Sequence, residues 1–159
     1  LPASSAASDV YKRQGNNNMS NSLIEAAGKF NFKLKIGCPK KYSPNKSILK
    51  LAKKERIKLT ITSKPLEAVE GADCVMTDKW ISMNDKVNKA SKKKILKPYQ
   101  VNKKLMSKAN SDAIFMHCLP VGRGEEVTNE VIDGKQSVVW RQALNRVHAQ
   151  KSIIKWCLD

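Results

Sequence analysis

Between Gly15 and Cys38 the chain reads GNNNMSNSLIEAAGKFNFKLKIGC, and its hydrophobic period changes partway along. After a Gly/Asn loop, Leu23, Ala26, Ala27 and Phe30 recur at helical spacing, with Ser20 to Ser22 available as N-caps. Lys33 to Cys38 then alternates polar and apolar, as a half-buried strand does. Loop, helix and strand in that order form a βα unit, and the pattern continues. KSILKLAKKERI, Lys46 to Ile57, carries Ile48, Leu49, Ala52 and Ile57 on one stripe and lysines on the other. KLTIT, Lys58 to Thr62, predicts a strand. PLEAVEGA, Pro65 to Ala72, predicts a helix that starts at its proline and stops at Gly71. DCVMTD, Asp73 to Asp78, predicts a buried strand.

The lysine-rich segment ahead of Pro98 and the run Val101 to Ala109 predict two more helices. AIFMHCLP, Ala113 to Pro120, and GKQSVVW, Gly134 to Trp140, predict the last two strands. A terminal helix follows over 141–157, with Leu144, Val147, Ile154 and Leu158 on or near one face. Strands separated by helices of this length imply right-handed crossovers. The expected fold is α/β, a Rossmann-like three-layer arrangement of one parallel sheet with helices on both faces. LPASSAASDVYKRQ, residues 1–14, shows no such period and reads as a non-native leader or linker. On that reading the domain begins at Gly15 and extends to residue 159, and its first strand is missing.

Composition narrows the function classes. The chain has 159 residues and a formal net charge of +16, which raises nucleic-acid binding as one reading. Only Arg13, Arg56, Arg123, Arg141 and Arg146 are arginines; the rest of the positive charge is lysine, scattered along helices and turns. Base and phosphate readers favour arginine forks, so the lysines fit solvated faces better. No apolar run approaches the ~20 residues of a membrane span. Cys38, Cys74, Cys118 and Cys157 form no CxxC pair, and scattered thiols of this kind point to a reducing cytoplasm. With only His117 and His148 present, a multi-histidine metal site is excluded.

In a parallel sheet, ligands bind beyond the carboxyl ends of the strands. That rule ranks three groups. Asn17 and Asn18 follow the truncated first strand and open a helix whose N-terminus can hold an anion, although Gly/Asn loops are also generic turns. Asp78 ends a strand in TDKWISM; with Ser82 it can hold an ammonium group, or both can be caps, and Trp80 can be a packing anchor. His117, Cys118 and Pro120 end another strand. Cys118 is either a buried structural thiol or one polarised by its surroundings, and His117 reads as an orienting residue. Arg146 could clamp an oxyanion or lie on the surface.

Taken in order, GNNNMSNSL, GADCVMTDKWISM, FMHCLP…RGEEVT and NRVHAQK resemble the ornithine carbamoyltransferase family from about Asn16 to the C-terminus. The resemblance implies transfer of a carbamoyl group from carbamoyl phosphate to the δ-amine of L-ornithine, giving citrulline and phosphate without a cofactor or metal. It implies a homotrimer of two-domain chains, with no nucleic-acid or membrane partner. The S-x-R-T-R and H-P-x-Q motifs of the carbamoyl-phosphate domain are not in these residues, so the chain looks like the ornithine-binding half, inactive alone. Its terminal helix is expected to pack on the other domain.

By motif, Asn18 would bind ornithine from the helix N-terminus. Asp78 and Ser82 would hold the α-amino group, with the Met83 backbone at the α-carboxylate. Cys118 would assist deprotonation of the δ-amine. The Leu119 carbonyl and Arg146 would meet the carbamoyl group, with His117 and Pro120 in support. Asn84 stands where the family usually has Gly, Val121-Gly122 where Ala-His is commoner, and Gln14-Gly15 where Gly-Asp is usual. A carbamoyltransferase for another amine, such as putrescine, is the near alternative, and a basic nucleic-acid-binding α/β module the distant one.

Overall fold

The computed structural model of the chain describes residues 9–12, 17–81 and 88–159. Five strands make one parallel sheet: β1 (Asp9–Lys12), β2 (Lys33–Gly37), β3 (Leu59–Thr62), β4 (Cys74–Thr77) and β5 (Ile114–His117). Their order is β3-β2-β1-β4-β5, so the chain moves outward from the central strand in one direction and then in the other. The helices are α1 (Asn18–Phe30), α2 (Lys46–Lys54), α3 (Pro65–Val69), α4 (Lys89–Leu96), α5 (Lys103–Met106), α6 (Asn129–Ile132) and α7 (Val139–Leu158).

Asparagine sets where several of these helices begin. The side chains of Asn17, Asn45, Asn88 and Asn102 accept backbone N–H groups in the first turns of α1, α2, α4 and α5. Each satisfies donors that a helix start leaves without intrahelical partners. The cap of α1 is thus Asn17, not Ser20 to Ser22, and Ser20 is buried inside the helix.

The two faces of the sheet carry separate cores. Leu34 and Ile36 of β2 pack with Ile24, Ala27, Ile48 and Ala52 of α1 and α2. Lys35, between them, points to the opposite face, where its Nζ donates to the Glu70 carbonyl at the end of α3, 2.8 Å away. On that second side Val75 and Phe115 pack with Val69, Leu105, Ile132 and Val139. Ile24 and Ala27 are the buried apolar residues of α1, whereas Phe30 is largely exposed, so the helical stripe is rotated from the expected one.

Two expectations are corrected. The segment set aside as a leader supplies the central strand: Asp9 to Lys12 pairs with Lys33 to Ile36 on one side and Val10 to Lys12 with Cys74 to Met76 on the other. Backbone pairing on both sides needs no particular side-chain period, so four residues form the strand without announcing it. Conversely, Gly134 to Trp140 is not a strand. Only Ser137 bridges to Phe115, through Phe115 N–H to the Gln136 carbonyl at 2.8 Å and Val138 N–H to the Phe115 carbonyl at 3.0 Å. A turn precedes it, with Ser137 N–H bonded to the Gly134 carbonyl, and α7 begins at Val139.

No helix among the described residues is long and apolar enough to cross a membrane. Cys74 opens β4 with its sulfur 3.4 Å from Met116 Sδ. Burial, helped by the Asp73 charge, pushes its thiol up to about 11. Since the thiolate is the reactive form, Cys74 is expected to alkylate about a hundredfold more slowly than exposed Cys157 at pH 8, a difference that a mass-spectrometric time course would read.

Candidate functional site

The strand order places a topological switch point between β1 and β4: the chain runs from β1 to β2 and β3 on one side, then crosses back to β4 and β5 on the other. Across it, Asn17 at the head of α1 donates from Nδ2 to Asp78 Oδ2 at 2.7 Å. The same Asn17 side chain accepts Ser20 N–H through Oδ1 at 2.8 Å. One amide therefore both caps α1 and holds a carboxylate at the end of β4. Asp78 is buried, an environment in which a carboxylate needs such donors. Trp80 is also buried and anchors the loop that leaves β4.

The register brings in the third group. Thr77 pairs with His117, so the next residues, Asp78 and Cys118, leave adjacent strands side by side. Neighbouring strands lie about 4.8 Å apart. The three groups expected at one edge of the sheet are thus gathered there. Asn18 is the first residue of α1 and exposed; the contact with Asp78 is made by its neighbour Asn17. Ser82, Met83 and Asn84 lie outside the described residues, as do Gln14 and Gly15.

The turn after β5 is held from inside. Leu119 has φ +55°, a left-handed conformation that costs a non-glycine residue about 1–3 kcal/mol, and the Leu119–Pro120 peptide is cis. Leu119 N–H donates to His117 Nδ1 at 2.9 Å. A neutral His117 therefore carries its proton on Nε2, which faces Glu126 Oε1 at 3.3 Å with both side chains fully buried. Glu126 also accepts Gly122 N–H. Burial alone would raise the Glu126 carboxyl, but the donors from His117, Gly122 and its own backbone outweigh it and hold the group below its ordinary 4.5.

Its backbone is fixed as well. Val101 N–H donates to the Glu126 carbonyl at 2.9 Å, and Gln100 Nε2 to the carbonyls of Gly124 and Glu125 at 2.7 Å each. Glu126 was not singled out from the sequence; its only signal was membership of RGEEVT.

Arg146 lies on α7 and is exposed. Gln142, one turn earlier on the same face, accepts His117 N–H at 3.0 Å and so ties α7 to the end of β5. Arg146 thus lies beyond that anchor, about 6 Å further along the helix. Trp140, Leu144, Val147, Ile154 and Leu158 on α7 are exposed. No cluster of three or more potential metal-ligating side chains occurs among the described residues.

Comparison with known proteins agrees with this arrangement. A family model described as "Aspartate/ornithine carbamoyltransferase, Asp/Orn binding domain" matches residues 10–157. An ornithine carbamoyltransferase from Rhodopseudomonas palustris is 56% identical over 142 residues, 89% of this chain and 46% of that protein. Among solved structures, the ornithine carbamoyltransferase from Pyrococcus furiosus superimposes with a TM-score of 0.85 at 39% identity, over 93% of this chain and 49% of that one. The anabolic enzyme of that name from Campylobacter jejuni gives a TM-score of 0.90 at 32% identity, over 96% and 52%. The chain spans about half the length of the relatives it matches.

Proposed function

Because the chain belongs to the aspartate/ornithine carbamoyltransferase family, through its Asp/Orn-binding domain, we propose that it is the ornithine-binding half of an ornithine carbamoyltransferase. The complete enzyme would move the carbamoyl group of carbamoyl phosphate to the δ-amine of L-ornithine, releasing L-citrulline and phosphate, in arginine biosynthesis or in arginine breakdown through the deiminase route. The observation that carries this reading is the buried Asp78, oriented by Asn17 across the switch point, with Cys118 likewise one residue beyond the paired end of the adjacent strand. A fixed carboxylate there suits an α-ammonium group.

In this reading Asp78 and Ser82 bind the α-amino group, and Asn18 and the Met83 backbone the rest of the amino-acid head. The δ-amine reaches Cys118. An amine of this kind ordinarily titrates near ~10.4 and attacks only when neutral, so desolvation and an acceptor beside it must favour loss of its proton. Attack on the carbamoyl carbon puts negative charge on its oxygen, where preorganised donors are most effective. Arg146 would supply one donor, while the Leu119 carbonyl would accept from the carbamoyl amide. The remaining donors and the phosphate clamp would come from a carbamoyl-phosphate domain packed against the apolar side of α7. We place the complete enzyme in the cytoplasm as a homotrimer.

Titrating the 159-residue chain by NMR tests the reading. L-Ornithine is expected to shift the amides of Asn17, Asp78 and Cys118, with putrescine, which lacks the α-carboxylate, giving no matching shift. These residues alone are expected to form no citrulline. Salt-sensitive DNA binding without any ornithine response would replace this reading with the nucleic-acid one.

A further inference from the structure

Glu126 is fully buried, yet the proposed ornithine chemistry gives it no task. An apolar side chain would serve packing beside Val127 and Val131 better, since a buried carboxylate must recover its lost hydration from donors. Its donors lie at one place. Gly122 N–H donates to Oε1, His117 Nε2 lies 3.3 Å from the same oxygen, and His117 Nδ1 in turn accepts Leu119 N–H. Glu126 and His117 therefore bracket the turn, one holding its last residue and the other its first. Gly122 leaves room for this: a Cβ there would meet Glu126 Oε2 at 2.8 Å.

We propose that His117 and Glu126 are a pair of positioning residues that hold the Leu119–Gly122 turn in one conformation, and with it Cys118 and Leu119 at the carboxyl edge of the sheet. The pair acts through the backbone. His117 works as a fixed tautomer, with Nδ1 accepting from Leu119, and Glu126 selects that tautomer by facing Nε2. A ring with its proton on Nδ1 would oppose the Leu119 N–H and release the residue held at φ +55°. The proposal rests on the ornithine reading for its purpose but not for its geometry.

The test compares the wild-type chain with Glu126→Gln and Glu126→Leu. Glutamine keeps an acceptor oxygen for both donors; leucine keeps only bulk. Imidazole nitrogen NMR reads the tautomer directly, with His148 as the second and exposed ring. The wild type and Glu126→Gln are expected to show His117 as the Nε2–H form, with the same Leu119 amide shift and Cys118 alkylation rate. Glu126→Leu is expected to lose the single tautomer, change both loop signals and weaken ornithine binding by about tenfold, as loss of a hydrogen bond to a charged group does.

An Nδ1–H ring in the wild type overturns the proposal, and so does a folded Glu126→Leu chain with unchanged loop signals. If Glu126→Leu does not fold, Glu126→Gln decides: loss of the tautomer there overturns the pair, and retention supports it. Absence of ornithine binding in the wild type would count against the functional reading alone, because the tautomer and alkylation readouts do not depend on it.

Discussion

Phe115→Ala is expected to lower the unfolding free energy by about 3–5 kcal/mol. Phe115 is fully buried in the middle of β5, where it packs with Val75, Val101, Leu105 and Ile132. Removing the ring would open a cavity where three segments converge. Beneath it, the Phe115 backbone pairs with Val75 on one side and carries the bridge to Ser137 on the other. Domains of this kind are stable by only about 5–15 kcal/mol, so the loss would remove about a fifth or more of the total. Urea unfolding followed by circular dichroism reads it as a lower midpoint. Phe30→Ala is the matched control: Phe30 is 79% exposed, and truncation there should change stability by no more than about 0.5 kcal/mol. A loss below about 1 kcal/mol at Phe115 would contradict its place in the core.

Asp78→Ala is expected to abolish measurable ornithine binding. A hydrogen-bonded contact to a charged group contributes about 1.5–3 kcal/mol, or roughly 10- to 150-fold in affinity. The substitution also leaves Asn17 Nδ2 without the acceptor that it meets at 2.7 Å. Asn17→Ala should weaken binding less and should add little to Asp78→Ala, because its effect runs through the same carboxylate. It should also cost stability of about 1 kcal/mol through loss of the α1 cap. Asp73→Ala gives the control. Asp73 lies at the opposite end of β4, bonded to Asn110 Nδ2 at 2.6 Å, and ligands in such sheets meet only the carboxyl ends. Isothermal titration with L-ornithine distinguishes these cases; equal loss from Asp73→Ala would move the site off the switch point.

The alternating sequence of Lys33 to Cys38 and the apolar runs before Thr77 and His117 mark β2, β4 and β5 because each buries its own side chains. The strand-end rule then picks out Asp78 and Cys118 without coordinates. β1 leaves no such mark because its place depends on backbone pairing on both sides, which Asp9 to Lys12 can offer as well as any four residues. Gly134 to Trp140 looks like a strand for the opposite reason. Val138, Val139 and Trp140 have strand-forming side chains, but Val139 is used as a buried first residue of α7.

The order of residues by itself determined the α/β alternation and the two strand ends where the polar side chains gather. Both are local: a period or a run of a few residues is enough to specify them. The tertiary structure alone decided the pairs that make a site of those ends. Asn17 meets Asp78 across 61 residues of chain, Gln142 reaches His117 across 25, and Glu126 turns back onto His117 inside the core. Those contacts exist because parallel strands bring distant carboxyl ends to one edge, and because a carboxylate excluded from water must find its donors wherever the fold has placed them.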